Sequence, residues 1–234
     1  MPLFCFPHAG GGATSFLRLA TALTPEIDVL AVQYPGRQDR FGEPFATSLT
    51  ELAATVAAEA RRVAAGPFAL FGHSMGATVA FEAARRLEGG GLTPVALFAS
   101  GRVGPSHPPG DLTGPLDDAA LLADIRLLGG TPEEILQDPD MMSILLPPLR
   151  ADYRALQSYR FATDVYREQV ACRITALIGN RDPRVSKDGA LAWSRHTAAE
   201  FELLEFDGGH FYLDGSTDSV ADHIRTVLRD GVRV

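Results

Sequence analysis

The sequence predicts an α/β fold: a mostly parallel, doubly wound sheet with a helical insertion. Three observations carry this reading. Short apolar runs bounded by glycine and proline alternate with stretches of helical periodicity over the first hundred residues. Those runs show no polar alternation, as expected of strands covered by helices on both faces. The rhythm then lapses between about 101 and 170 before it resumes.

The elements follow in order. Residues 3–6, Leu-Phe-Cys-Phe, form a buried strand that ends in Pro7-His8-Ala9-Gly10-Gly11-Gly12. A helix is expected over about 15–23 and a second strand over 29–32. Tyr34-Pro35-Gly36-Arg37 turns the chain, and an alanine-rich helix at 50–63 carries Leu52, Val56 and Val63 on one side. The run 68–71 is a strand, 77–87 a helix closed by Gly89-Gly90-Gly91, and 95–99 a fourth strand. The insertion opens with Pro105, Pro108, Pro109 and Gly110 and shows helical patterns at 116–128, 131–136 and 141–159. Thr131-Pro132-Glu133-Glu134 reads as an N-cap with proline at the first helical position. Strands at 174–178 and 201–206, with helices at 186–196 and 219–228, complete the chain.

With 234 residues, 46% hydrophobic and 21% charged, the chain is long enough for one domain with a large core. A single domain over 1–234 is expected, with the insertion at about 101–170 acting as a lid beside the site. A net charge of −8 argues against nucleic acid and against anionic membranes as general partners. No apolar stretch approaches the ~18 residues that a membrane span needs. The first residues lack the pattern of a secretory signal, so the expected location is cytoplasmic. Cys5 and Cys172 each sit in an apolar run and read as core side chains. Their spacing fits neither a zinc site nor a redox pair, and neither metal nor cofactor is expected.

The chemistry is concentrated where Gly72-His73-Ser74-Met75-Gly76 follows an apolar run and opens a helix. Strand, sharp turn and helix make this G-x-S-x-G a candidate nucleophile elbow. Serine needs an adjacent base, usually histidine, whose tautomer a carboxylate holds. In elbow-type hydrolases the order along the chain is Ser, Asp or Glu, then His. Asp182 and His210 supply that order, each in the turn after a strand. Strand ends on one edge of a parallel sheet lie together, so Ser74, Asp182 and His210 are expected to meet there. His8 is a rival base and Asp214 a rival acid; Asp207 is a poor orienter of His210. His73 reads as structural, and His196 and His223 as residues of surface helices. The N–H of Met75 and one from the first glycine-rich loop would hold an oxyanion, with Ala9 the choice and His8 and Gly10 as alternatives. Arg37, Arg40 and Arg102 are candidates for guiding an acidic partner to the mouth of the site.

These residues resemble the α/β-hydrolase superfamily, and within it the type II (external, editing) thioesterases of polyketide and nonribosomal peptide synthesis. Phe4-Cys5-Phe6-Pro7-His8-Ala9-Gly10-Gly11, Gln33-Tyr34-Pro35-Gly36-Arg37, the elbow, and Gly208-Gly209-His210-Phe211 carry the likeness. It implies an α/β-hydrolase fold and hydrolysis of acyl thioesters on the phosphopantetheine arm of an acyl or peptidyl carrier protein. It also implies Ser74, Asp182 and His210 as triad, Ala9 and Met75 as oxyanion donors, and a mobile helical lid. It further implies a leader and an extra strand ahead of Phe4; with Met1 almost on that run, the expectation is a sheet shorter at that edge or a truncated start. The competing readings are a carboxylesterase or chain-releasing thioesterase of the same fold, and a hydrolase fold used only for binding.

Overall fold

The computed structural model describes residues 1–107, 117–161 and 168–231; Pro108, Pro109, Gly110 and residue 116, placed in the insertion by the sequence, lie outside them. Six strands form one sheet: β1 (Pro2–Phe6), β2 (Asp28–Ala31), β3 (Ala69–His73), β4 (Ala96–Ser100), β5 (Arg173–Gly179) and β6 (Phe201–Phe206). All neighbouring pairs are parallel, and the spatial order is β2-β1-β3-β4-β5-β6. The chain steps outward from β1 to β2, then returns and builds the other way from β3. The crevice at that reversal, beyond the carboxyl ends of β1 and β3, is where open α/β sheets bind ligands.

Strand side chains alternate between two cores. Phe4, Phe6, Leu70 and Leu97 pack on one face with α2 (Leu49–Val63) and α3 (Met75–Gly89). Leu3, Cys5, Phe71 and Phe98 pack on the other with α1 (Leu17–Leu23) and α8 (Leu213–Gly231). Apolar residues on both faces of each central strand explain the unbroken hydrophobic runs. Cys5 and Cys172 are both buried free thiols, and burial pushes both upward from the ordinary thiol range.

Between β4 and β5 lie α4 (Asp118–Leu128), α5 (Glu133–Leu136) and α6 (Pro139–Ser158). Asp117 and Asp138 cap α4 and α6 with side-chain bonds to first-turn N–H groups. Leu121, Leu149 and Tyr153 form a small core between α4 and α6. The hydroxyl of Tyr159, just past α6, donates to Glu82 of α3 at 2.9 Å and ties the insertion to the sheet-covering helix.

Several elements differ from the sequence expectation. The run 29–32 reads as a strand buried on both faces, but β2 is an edge strand and only partly buried, because among the described residues nothing pairs beyond it. Thr131 does not cap α5; Pro132 takes the cap position in an extended conformation and no side chain caps the helix. The helix expected at 186–196 is α7 (Lys187–Leu191), capped by Ser186, followed by a 3-10 turn at Ala192–His196. The last helix begins at Leu213 rather than near 219, because a first turn is joined to it across a kink at Ser216.

At the turn between β3 and α3 the packing is between backbones. A Cβ on Gly76 would stand 2.0 Å from the Phe6 carbonyl oxygen, and one on Gly72 would stand 2.2 Å from that of Gly76. Neither strand backbone can retreat without breaking parallel ladder bonds. Gly76→Ala is therefore expected to lower unfolding free energy by about 3 kcal/mol or more, read by chemical denaturation; an unchanged midpoint would contradict this packing.

Candidate active site

Ser74 occupies the single residue between β3 and α3. Its backbone adopts φ 55° and ψ −118°, a region that non-glycine residues rarely enter. Its N–H donates to the Ser100 carbonyl at 2.8 Å, which fastens the turn to the end of β4. A serine at a helix N-cap ordinarily turns its hydroxyl back onto the first turn. Here the conformation prevents that, and Ser74 Oγ makes no capping bond. It lines a cavity with Ala9, Gly101, Arg102 and His210.

The turns after β5 and β6 are built as one unit. A Cβ on Gly179 would meet the Gly209 carbonyl oxygen at 2.2 Å, so the two turns cross without a side chain between them. Asn180 N–H donates to the Phe206 carbonyl, Arg181 N–H to that of Gly208, and Gly208 N–H to the Asn180 side chain. The crossing brings Asp182 Oδ2 to 2.8 Å from His210 Nδ1. The other oxygen, Oδ1, accepts from the Arg184 N–H at 2.8 Å. The Asp182 carboxylate is fully buried and the His210 side chain nearly so. His210 also packs against the rings of His73 and Phe211, each centroid 5.2 Å away. With Nδ1 committed to Asp182, Nε2 is the nitrogen left to act in the cavity. Ser74 Oγ makes no hydrogen bond to His210 in this structure; catalytic contacts of this kind often tighten only with substrate bound.

Two backbone N–H groups near the elbow have no acceptor among the described residues. That of Met75 begins α3 and has no helical acceptor. That of Ala9 has no acceptor among the described residues. Gly10, an alternative donor from the sequence, is excluded: its N–H donates to Asp152 Oδ2 at 2.8 Å. Gly11 N–H turns back to the His8 carbonyl.

The sequence missed the group that holds this loop. Asp152, on α6, takes a bidentate contact from Arg37 at 2.6 and 2.9 Å while accepting the Gly10 N–H. Arg37 adds a bond to the Gly11 carbonyl at 3.2 Å. Both charged residues are buried, at 6% and 4% exposure. Arg37 is thus not a surface guide for a partner, and Arg40 spends its charge on Glu43. Arg102 is half-buried and lines the cavity. The available signal was Asp152 itself, a carboxylate in the apolar stripe between Leu149 and Leu156. A charge in such a stripe requires a buried partner.

The remaining candidates separate clearly. His8 packs edge-on against Phe211 at 5.0 Å, and burial lowers its pKa to about 4, so it is neutral at pH 7. His73 is buried; its Nδ1 pairs with Ser100 Oγ at 2.9 Å, which in turn meets the Tyr212 hydroxyl at 2.7 Å. Burial holds the His73 pKa well below its usual value. His196 is not a surface residue: it is 2% exposed and bonded to Ser106, because the 3-10 turn rotates it inward. His223 is partly buried beside Glu202. Asp207 pairs with Arg181 at the surface. Asp214 lies in a separate groove of about 630 Å³ with Leu17 and Arg18, away from Ser74 and His210. Among the described residues no group of acidic, histidine or cysteine side chains is arranged to hold a metal.

A parallel sheet with a serine strained onto a strand-to-helix turn, facing a histidine oriented by a carboxylate, defines the α/β-hydrolase class. Comparison with known proteins narrows this. The thioesterase domain profile matches residues 1–228. Thioesterase PikA5 of Streptomyces venezuelae is 44% identical over 228 residues, which cover 95% of this chain and 80% of that protein. A probable cadicidin biosynthesis thioesterase of Streptomyces griseus is 39% identical over 97% of this chain, which spans 62% of that protein. The solved structure of the type II thioesterase BorB from the borrelidin biosynthetic cluster superposes with a TM-score of 0.87 at 44% identity, covering 97% of this chain and 92% of that one. The chain belongs to the thioesterase family, on its type II branch, and is a thioester hydrolase.

The buried pair generates a prediction. Asp152→Ala leaves the Arg37 guanidinium without its partner in the interior and releases the Gly10 N–H. It is expected to lower stability by about 3–5 kcal/mol, measured by urea denaturation, whereas Asp118→Ala, at an exposed pair with Arg150, changes it by less than about 1 kcal/mol.

Proposed function

We propose that this protein is an editing thioesterase that removes acyl groups from the phosphopantetheine arm of an acyl or peptidyl carrier protein in polyketide or nonribosomal peptide synthesis. The observation that carries it is Ser74 at φ 55°, its hydroxyl released from capping, in one cavity with a histidine whose Nδ1 is fixed by Asp182. Membership of a family with relatives in antibiotic biosynthesis supports the substrate class. Its place is the cytoplasm, where such carriers are loaded; among the described residues no helix is long and apolar enough to cross a membrane.

His210 Nε2 takes the proton of Ser74 Oγ as the oxygen attacks the thioester carbonyl carbon. The carbonyl oxygen becomes an oxyanion held by the N–H groups of Ala9 and Met75, the latter at the positive end of the 15-residue α3. The C–S bond breaks and the thiol leaves with the proton from His210. Water then attacks the acyl-serine, gives its proton to the same nitrogen, and releases the acid as Ser74 regains its hydrogen. Asp182 keeps the tautomer fixed through both halves.

The insertion at about 101–170 serves as the lid of this single domain. Asp124 and Leu128 of α4 and Tyr153 and Leu156 of α6 wall the cavity, which holds about 50 Å³. Pockets that take small ligands hold roughly 300–1,000 Å³, so an acyl chain enters by displacing these helices. Ser74→Ala is expected to lower kcat on acyl-carrier-protein thioesters by about 10⁴-fold or more with an unchanged melting temperature. A purified, folded variant that keeps the parental rate would overturn the assignment.

A further inference from the structure

Arg102 brings into the wall of the reactive cavity a cation that no group among the described residues answers. Among the described residues its guanidinium has no hydrogen bond, ion pair or aromatic ring contact. The one carboxylate lining the cavity, Asp124, is already engaged by Arg184 and by the Tyr153 hydroxyl. Arg102 is half-buried, and desolvation pulls its proton affinity below the usual guanidinium range. A half-buried guanidinium that lines the cavity with no partner among the described residues is placed to meet an acceptor on a bound ligand.

The position of Arg102 is fixed from behind. Ser100 accepts the Ser74 N–H through its carbonyl, and Gly101 N–H donates to Leu177. A Cβ on Gly101 would stand 3.5 Å from the His210 ring, so the backbone here runs alongside the base. The Arg102 carbonyl is then held by Trp193 Nε1 at 2.8 Å. The guanidinium therefore rises from a rigid strand end beside the reacting atoms, among the apolar walls of Val103, Leu128, Leu156 and Val185.

We infer that Arg102 is a specificity-determining residue that binds an oxygen acceptor on the acyl group, a carboxylate at C3 of a malonyl-type thioester being the strongest counterpart and a 3-hydroxyl or 3-oxo group a weaker one. This rests on the thioesterase reading and names its substrate class. A guanidinium fork matches a carboxylate with two parallel bonds. A plain alkyl chain offers it nothing and strips the water that would otherwise solvate it.

The test compares kcat/KM on malonyl-, 3-hydroxybutyryl- and butyryl-N-acetylcysteamine for the parent, Arg102→Gln and Arg102→Lys. These thioesters carry no phosphate, so a response belongs to the acyl oxygen and not to the phosphate of the carrier's arm. The malonyl-to-butyryl ratio is expected to fall at least about tenfold in Arg102→Gln, the 3-hydroxybutyryl-to-butyryl ratio to fall less, and Arg102→Lys to retain part of both. Equal scaling of all three substrates would overturn the inference while leaving the thioesterase reading intact. A parent protein inert toward all three and toward acyl-carrier-protein would overturn both. If Arg102→Gln does not fold, by melting temperature, Arg102→Lys alone decides: an unshifted ratio is contrary to the inference, a ratio lowered for malonyl alone supports it.

Discussion

The backbone of α3 crosses β1 and β3 so closely that one methyl group at Gly72 or Gly76 would overlap a carbonyl oxygen. That contact leaves room for a single connecting residue between strand and helix, and Ser74 is forced to φ 55° to make the turn. The hydroxyl is thereby lifted off the helix end that a serine would normally cap. The strain is local and is held by two parallel ladders and the bond to Ser100. The proposed nucleophile and one proposed anion donor, the Met75 N–H, thus belong to neighbouring residues of one turn.

The other half of the site uses the same device on the far side of the sheet. Turns after β5 and β6 cross at Gly179 and Gly209, and the crossing sets the Asp182–His210 distance. Both halves stand on strand ends that cannot shift independently. The insertion is tied both by apolar packing, with Ala155 and Leu156 in the core beneath α2 and α3, and by polar contacts. Asp152 on α6 grips Gly10 and Arg37 together, and Tyr159 reaches Glu82. Asp152 thereby links α6 directly to the loop that carries Ala9.

The fold was legible because the central strands are buried on both faces and therefore read as unbroken apolar runs. Phe4-Cys5-Phe6 and Ala69-Leu70-Phe71 admit no other assignment at their length. Ser74, Asp182 and His210 were legible because each follows a strand, and a parallel sheet collects such turns on one edge. What the sequence hid were pairings across elements. Arg37 and Asp152 lie 115 positions apart, and a lone arginine in a turn reads as solvated until its partner is known. His196 was misplaced for a related reason: a 3-10 turn shifts side-chain direction relative to the α-helix that periodicity assumes. The extra turn ahead of Ser216 escaped because its polar residues, Asp214 and Gly215, carry no helical stripe.

The central claim is that Ser74 alone among the serines is strained into the cavity that it shares with an oriented imidazole. Treatment with a fluorophosphonate, followed by peptide mass spectrometry, tests it directly. The account predicts one adduct per chain, on Ser74, with none on the His210→Ala variant under the same conditions. No adduct on the parent protein, or an adduct on another residue with Ser74 unmodified, would contradict it.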